Sequence, residues 1–272
     1  IRREAVPLAA AAYRVRLTDA TSLAATFTAE TGIRRYSSLA WYDAPSPMPD
    51  YYRWMPGYQP GPVTRLEIDN IWRANDVRYT QIDWDEFYRQ NRNSKDGSAT
   101  YLMEDRVERI ANIQLLAEGV TRINERLTVR YGIRAARMDS RFYKQMRDLM
   151  GRNYFVDRDY YLIDDGVYGN KLQNDLRHPD RIIREGDRFG YDYDLRRNEI
   201  GAGGSLEYRA DRLRAFIAAE VGTSSVFRRG HYEKELFAGN KSFGKSRALH
   251  FAPYLFRASA GYSFSVRHHL EM

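Results

Sequence analysis

The segment LRAFIAAEVGTSSVF, Leu213 to Phe227, decides the fold class. Its odd positions are Leu213, Ala215, Ile217, Ala219, Val221, Thr223, Ser225 and Phe227. Its even positions include Arg214, Glu220, Gly222 and Ser224, with Phe216 and Ala218 as exceptions. The period is therefore two, a strand, and not the 3.6 of a helix. A strand about twice the usual globular length, apolar along one face and carrying Arg, Glu and Gly along the other, separates two solvents. Lipid on one side and water on the other account for it.

The same alternation recurs on both sides of this segment. Upstream, RFGYDYDL opens a strand in which Asn198, Ile200, Ala202, Gly204, Leu206 and Tyr208 oppose Glu199, Gly201, Gly203, Ser205 and Glu207, and a turn at 210–212 joins it to Leu213. Earlier, Ala111, Ile113, Leu115 and Ala117 oppose Asn112, Gln114 and Glu118. After the INER turn at 123–126, Leu127, Val129, Tyr131, Ile133 and Ala135 oppose Thr128, Arg130, Gly132 and Arg134. The first hairpin sets Ala9, Ala11, Tyr13, Val15 and Leu17, then a TDATS turn, then Leu23, Ala25, Phe27, Ala29 and Ile33. Downstream, a loop leads to Ala252, Tyr254, Phe256, Ala258, Ala260, Tyr262 and Phe264, and VRHHLEM follows a further turn. Short turns therefore fall at one end and loops of roughly 55, 50 and 20 residues at the other, the asymmetry of outer-membrane barrels with short periplasmic turns and long extracellular loops. Alternation resumes near Val107 and stops after Met138, which places the two longest loops at 45–99 and from Met138 to Asp187. About seven strands are expected. Such a set cannot close in lipid without bare edges, so the reading is a piece of a larger antiparallel transmembrane β-barrel.

Composition agrees. The 272 residues are 43% hydrophobic, which excludes disorder, and no apolar run is long enough for a helical span at a mean hydropathy of −0.66. No cysteine is present, so neither disulfides nor thiolate metal sites contribute. The 43 Lys+Arg and 36 Asp+Glu are interleaved, as in HPDRIIREGDR, rather than gathered in a basic block, which argues against nucleic acid as a partner. Tyr, at 21, outnumbers Phe and Trp, which fits interfacial girdles and equally carbohydrate-facing or antibody-like loops. The chain starts at Ile1 with no charged and apolar leader, so a signal peptide is expected to be removed or outside this sequence.

Several phrases carry a family resemblance: WYDAP at 41–45, DYYRWMPGY at 50–58, QIDWDEFYRQNRNS at 81–94, QNDLRHPDR at 173–181, EGDRFGYDYDL at 185–195 and FGKS at 243–246. Together they resemble the barrel of a TonB-dependent outer-membrane receptor, of the variety with an N-terminal carboxypeptidase-regulatory-like extension. The resemblance implies a 22-stranded barrel closed by a plug. It also implies import of a scarce solute, a TonB complex acting through the plug, contact with outer-membrane lipid, and room for a surface lipoprotein partner. No plug, TonB box or C-terminal strand signal is found between residues 1 and 272, and the energy-coupling parts are expected upstream of Ile1. Arg130, Arg134, Glu207, Arg214 and Glu220 would line the lumen. Neither catalytic residue nor cofactor is expected, and the solute is not legible.

Four motifs invite other chemistry. Gly239 to Ser246, GNKSFGKS, matches the phosphate-binding pattern G-x-x-x-x-G-K-S, but β-patterned residues with Pro253 follow it where a helix is required. His178-Pro179-Asp180 reads as a turn. Asp83, Asp85 and Glu86 read as a helix cap or a solvated turn on a mobile loop rather than a glycosidase pair. Asp157, Asp159, Asp164 and Asp165 lack a calcium-loop spacing. His231, His250, His268 and His269 have no ligand spacing and read as loop and turn residues, and Trp41, Tyr51, Tyr52, Trp54, Trp72 and Trp84 either stack on a ligand such as a glycan or siderophore or, the preferred reading, pack the loop on itself or sit in the outer aromatic girdle. The competing reading is a soluble or lipid-anchored β-sandwich that binds or hydrolyses polysaccharide.

Overall fold

The computed structural model describes residues 1–160, 173–265 and 268–272. Its strands are β1 Arg2–Ala5, β2 Leu8–Arg16, β3 Thr21–Trp41, β4 Tyr101–Arg122, β5 Leu127–Asp148, β6 Phe155–Val156, β7 Ile182–Ile183, β8 Arg188–Arg209, β9 Leu213–Gly230, β10 Gly244–Lys245, β11 Leu249–Phe251, β12 Tyr254–Ser265 and β13 His268–Glu271. Except for β6 and β7, which pair with each other, these form one antiparallel sheet in the order β1-β3-β4-β5-β8-β9-β12-β13. β1 and β2 both pair with β3, as one strand interrupted at Val6-Pro7. Proline cannot donate to a ladder and sits here on an edge strand. Among the described residues β13 and the β1/β2 edge do not pair, so the sheet is open.

The turns follow the expected chemistry. Thr18 Oγ1 accepts from the amide of Thr21 at 3.0 Å, and Asn124 Oδ1 accepts from the amides of Arg126 and Leu127 at 2.9 Å each. Short polar side chains that hydrogen-bond the backbone a few residues on are what a tight reversal needs.

Three expectations need correction. β4 begins at Tyr101 rather than Val107, β5 runs on to Asp148 instead of ending at Met138, and pairing with β9 resumes at Leu249, before the break at Pro253. In each case the strand outlasts its apolar alternation. Arg137, Asp139 and Arg141 continue the face of Leu127 to Ala135, but as charges, so period two persists in the backbone after it has vanished from hydropathy. Thr21–Trp41 of β3 pairs residue for residue with Tyr101–Thr121 of β4, without a slip.

The loops are also more ordered than expected. The first, between β3 and β4, carries helices α1 Pro62–Arg73, α2 Val77–Thr80 and α3 Trp84–Arg92, so the all-β description holds for the wall alone. Phe87 of α3 stacks on Tyr101 at 4.9 Å and packs with Met150, Leu39 and Trp41. On the other face of the same strands, Tyr42, Leu102, Met146, Phe155, Ile183 and Phe189 form a second core. Fully buried Asn91 joins the layers: its Nδ2 donates to the carbonyls of Tyr101, Leu149 and Met150, and its Oδ1 accepts from Thr100 and Tyr101.

Candidate functional site

The pairing registers define two faces of the wall. One row across seven strands is Tyr13, Ala25, Ala117, Ile133, Ala202, Val221 and Tyr254. Rows above and below it on this face hold Phe27, Leu115 and Ile200, and Leu23, Tyr131 and Phe256. These side chains stand bare: Ile133 is 57% exposed, Ile200 63%, Val221 64% and Phe256 68%. Leu127 to Ala135 spans about 27 Å at roughly 3.4 Å per residue, or about 21 Å of depth at a tilt near 40°, close to the roughly 25 Å apolar band of a membrane barrel.

The opposite face carries paired charge. Arg130 meets Glu207 at 2.9 Å and Arg134 meets Glu220 at 2.8 Å, each pair bridging neighbouring or next-neighbouring strands. Arg214 lies on the same face, in register with Arg209 and Gly261. All five residues expected to line a lumen therefore share one face. Arg134 crosses its neighbour β8 over Gly201, where a Cβ would meet its Nε at 3.0 Å. Gly132 pairs with Gly203, and Gly201 with Gly222, leaving bare backbone beside these ion pairs. The concavity there, 270 Å³, is lined by Glu118, Arg130, Arg134, Gly201, Gly203 and Glu220.

Beyond the band the charged face continues into a buried network that sequence inspection missed. Glu104, with a side chain 1% exposed, accepts from Tyr42 Oη at 2.9 Å and from Lys144 Nζ at 2.9 Å. Asp157 accepts from Asn174 Nδ2 and Arg181 Nη2 at 2.8 Å each and from the amide of Gly190 at 3.0 Å. Arg181 also donates to Tyr232 Oη at 2.8 Å. Lys144, Arg158, Asp159, Tyr160, Tyr191 and Lys234 line a 130 Å³ cavity between them. Burial pushes the Lys234 amine below the usual lysine range despite nearby Asp159 and Asp157, and pushes the Tyr160 phenol up to about 12. The available signal was parity: Glu104 and Lys144 fall on the charged face once β4 and β5 are extended.

The remaining candidates resolve individually. Asp83 caps α3, its Oδ1 accepting from the amide of Glu86 at 3.0 Å, with Asp85 and Glu86 in the first helical turn. Of the two expected readings, the cap is the one the structure shows. Gly239–Lys241 forms a single tight turn, Gly244–Lys245 pairs with Arg229 and Gly230, and strand follows, so the glycine-lysine-serine string is a hairpin-loop element. His178 Nδ1 lies 2.8 Å from Asp175 Oδ2 within a turn. His231 bonds Asp194, and His250 lies in β11 opposite Ser225. His268 and His269 lie in β13, against Ser265 and Ser263, so these two and His250 are strand residues rather than the loop and turn positions expected. Asp157 is committed to the contacts above, Asp159 lies 3.7 Å from Lys234, and Asp164 and Asp165 lie outside the described residues. Among the described residues no group of His, Asp and Glu is placed to hold a metal. Tyr51, Tyr52 and Trp54 pack on one another and Trp84 on Phe87, while Trp72 helps line a 560 Å³ cavity with Trp54 and Tyr79.

No protein-family model matches the chain, and no curated protein matches its sequence. Among solved structures the chain has weak matches. Crystal structures of the ferric-catecholate import receptor Fiu from E. coli K12 match 97% of the chain, the open form at TM-score 0.47 and 10% identity, the closed form at 0.45 and 9%. The chain spans about a third of each receptor, 34% and 31%.

Proposed function

We propose that the chain is part of the wall of an outer-membrane transport receptor, with its apolar face in lipid, its ion-paired face toward an aqueous lumen, and its three long loops outside the cell. The observation that carries this reading is the register. Across seven strands the central rows of one face are apolar and half to fully exposed, the opposite face carries Arg–Glu pairs across β5, β8 and β9, and all long connections leave from the same end. A face of this kind is costly in water and stable in acyl chains. A plug, energy coupling through a TonB complex, a surface lipoprotein on the loops and import of a scarce solute belong to the same proposal and rest on the sequence resemblance. The protein binds and transports rather than catalyses.

A β-sandwich would need a second sheet over the apolar face. Among the described residues the second sheet is the two-residue pair β6–β7, so no observation favours that reading. Spin labels at Val129 and Arg130 of the intact protein in bilayers test the proposal. Oxygen, which partitions into lipid, should relax the label at 129, and a water-soluble nickel chelate the label at 130. Equal responses at both positions reject it.

A further inference from the structure

Above the apolar rows, the first long loop packs its third helix on the outward side of the wall. Leu39 and Trp41 of β3 and Tyr101 of β4 share the face of Ala25 and Ala117, because the β3–β4 register runs without a slip. Phe87 of α3 packs with these side chains, whereas Tyr42, Leu102 and Phe155 fill the inner side. Between this outward core and α1 lies a cavity of 560 Å³, walled by Met48, Trp54, Ile68, Ile71, Trp72 and Phe87. Ile68, Ile71 and Trp72 have the i, i+3, i+4 spacing of an amphipathic helix's apolar stripe. Yet α1 has no buried residue, so the stripe lines the cavity instead of a core.

The frame of the cavity is braced. Trp54 Nε1 donates to the Ser46 carbonyl at 3.4 Å, Gln59 Nε2 to the Arg53 carbonyl at 2.8 Å and Arg65 Nε to the Gln59 carbonyl at 2.6 Å. Pro47 and Pro49, with their fixed backbone angle, form part of the wall. The charges bordering the cavity are all compensated. Arg78 forks onto Asp76, with Nε at 3.1 Å and Nη2 at 2.7 Å. Asp83 accepts from the Glu86 amide at 3.0 Å, where the start of α3 offsets its charge. Glu86 pairs with Arg89 and accepts from Gln90 Nε2 at 2.6 Å. The lining groups without a partner among the described residues are neutral: the Trp72 indole N–H, the Tyr79 hydroxyl and the Gln81 amide.

We infer that this cavity binds a neutral aromatic small molecule of one or two rings carrying a hydroxyl or amide group. Its size lies within the roughly 300–1,000 Å³ of small-molecule sites, which are mostly apolar and aromatic with a few placed polar groups. Rings gain edge and face contacts from Trp54, Trp72 and Phe87. Ile68, Ile71 and Met48 fill space around such a ring but offer no flat platform for a sugar. Tyr79 and Gln81 supply both donors and acceptors for one hydroxyl or amide. An ion would lose its hydration and find no free counter-charge. A ligand held here lies beside the wall, apart from any path through a lumen.

The ligand class stands on the cavity alone, while its place outside a lumen rests on the membrane reading of the apolar face, and the experiment separates the two. The intact protein in lipid nanodiscs is titrated with naphthol, naphthoate and naphthylmethylammonium, which share a ring system and differ in charge, and with maltotriose. Saturation-transfer NMR reads binding above that of empty nanodiscs. Saturable binding of naphthol is expected, with both charged analogues at least about tenfold weaker. Trp72→Ala should weaken naphthol about thirtyfold, as loss of an aromatic anchor does. Gln81→Ala changes an exposed side chain that holds no part of the loop, and should weaken it about fivefold, the loss of one hydrogen bond. No binding above empty nanodiscs, equal binding of the three naphthalenes, stronger binding of maltotriose, or full binding by both variants overturns the inference. Spin labels at Val129 and Arg130 are read on the same preparation. If their contrast persists without naphthol binding, the pocket fails alone; if naphthol binds without the contrast, the pocket stands and its place outside a lumen falls with the membrane reading.

Discussion

Two halves of the same strands behave as different materials. In β5, Leu127 to Ala135 is a single layer with one face bare and apolar and the other paired across Arg130–Glu207 and Arg134–Glu220. Tyr143 to Leu149 continues this chain stretch, yet Tyr143, Met146 and Leu149 are buried, the last two packed with Phe155 and Ile183. The ladder is the same; the surroundings differ. In the lower half solvent sorts the side chains, and in the upper half the protein has to supply the partners itself, which explains why its charges are buried in networks rather than exposed as pairs.

The sharpest test of that contrast is Lys144→Met. It leaves the Glu104 carboxylate, 1% exposed, with Tyr42 and the half-exposed Arg106, whose Nε donates at 3.3 Å, so losing the buried cation should cost up to about 3 kcal/mol, the lower end of the range for a buried charge deprived of its partner. Denaturant titration followed by proteolysis of the first loop should show the loss, and Glu104→Leu on the same background should recover most of it. A cost below about 1 kcal/mol for the single change would mean the upper half is as solvated as the lower.

Ile133→Arg probes the other half. At mid-band a cation on the lipid face costs about 2–4 kcal/mol, measurable as a lowered unfolding midpoint in bilayers, whereas the same change in a purely aqueous setting is nearly neutral. The smallest effect is expected from Arg130→Ala. Its guanidinium is 52% exposed, so loss of the pair with Glu207 should change stability by less than about 1 kcal/mol in the same unfolding assay. If Arg130→Ala proved the most damaging of the three, the division between a wet pairing face and a dry network would have to be redrawn.

The legible part of the sequence ends where the bare apolar rows end. Val221, Ile133 and Ile200 announce themselves because every second residue must be apolar. Residues 101–107, YLMEDRV, and 138–148, MDSRFYKQMRD, extend the same strands with acids, bases and aromatics mixed on both faces, and no periodicity in hydropathy survives. The loop order was hidden for a different reason. Asn91 fixes it through carbonyls of Leu149 and Met150, and Arg152 answers through the carbonyls of Asn91, Arg92 and Ser94. A bond from a side chain to a backbone group about sixty positions away leaves no mark on either residue's identity. The candidate lumen residues were legible because opposite charges recur at strand parity, but which Arg meets which Glu depends on register, and only the pairing supplied it.

The paired glycines Gly132–Gly203 and Gly201–Gly222 stand side by side on the ion-paired face, where Cβ atoms would meet neighbouring backbone at about 3 Å. Side chains on the concave side of a bending sheet crowd one another, and here three adjacent strands have none at those points. A line of missing side chains thus runs oblique to the strands, the place where a sheet bending toward this face would crowd its own side chains least. A cylinder assembled from such a sheet would have its tightest radius along that line and would be flatter on either side of it.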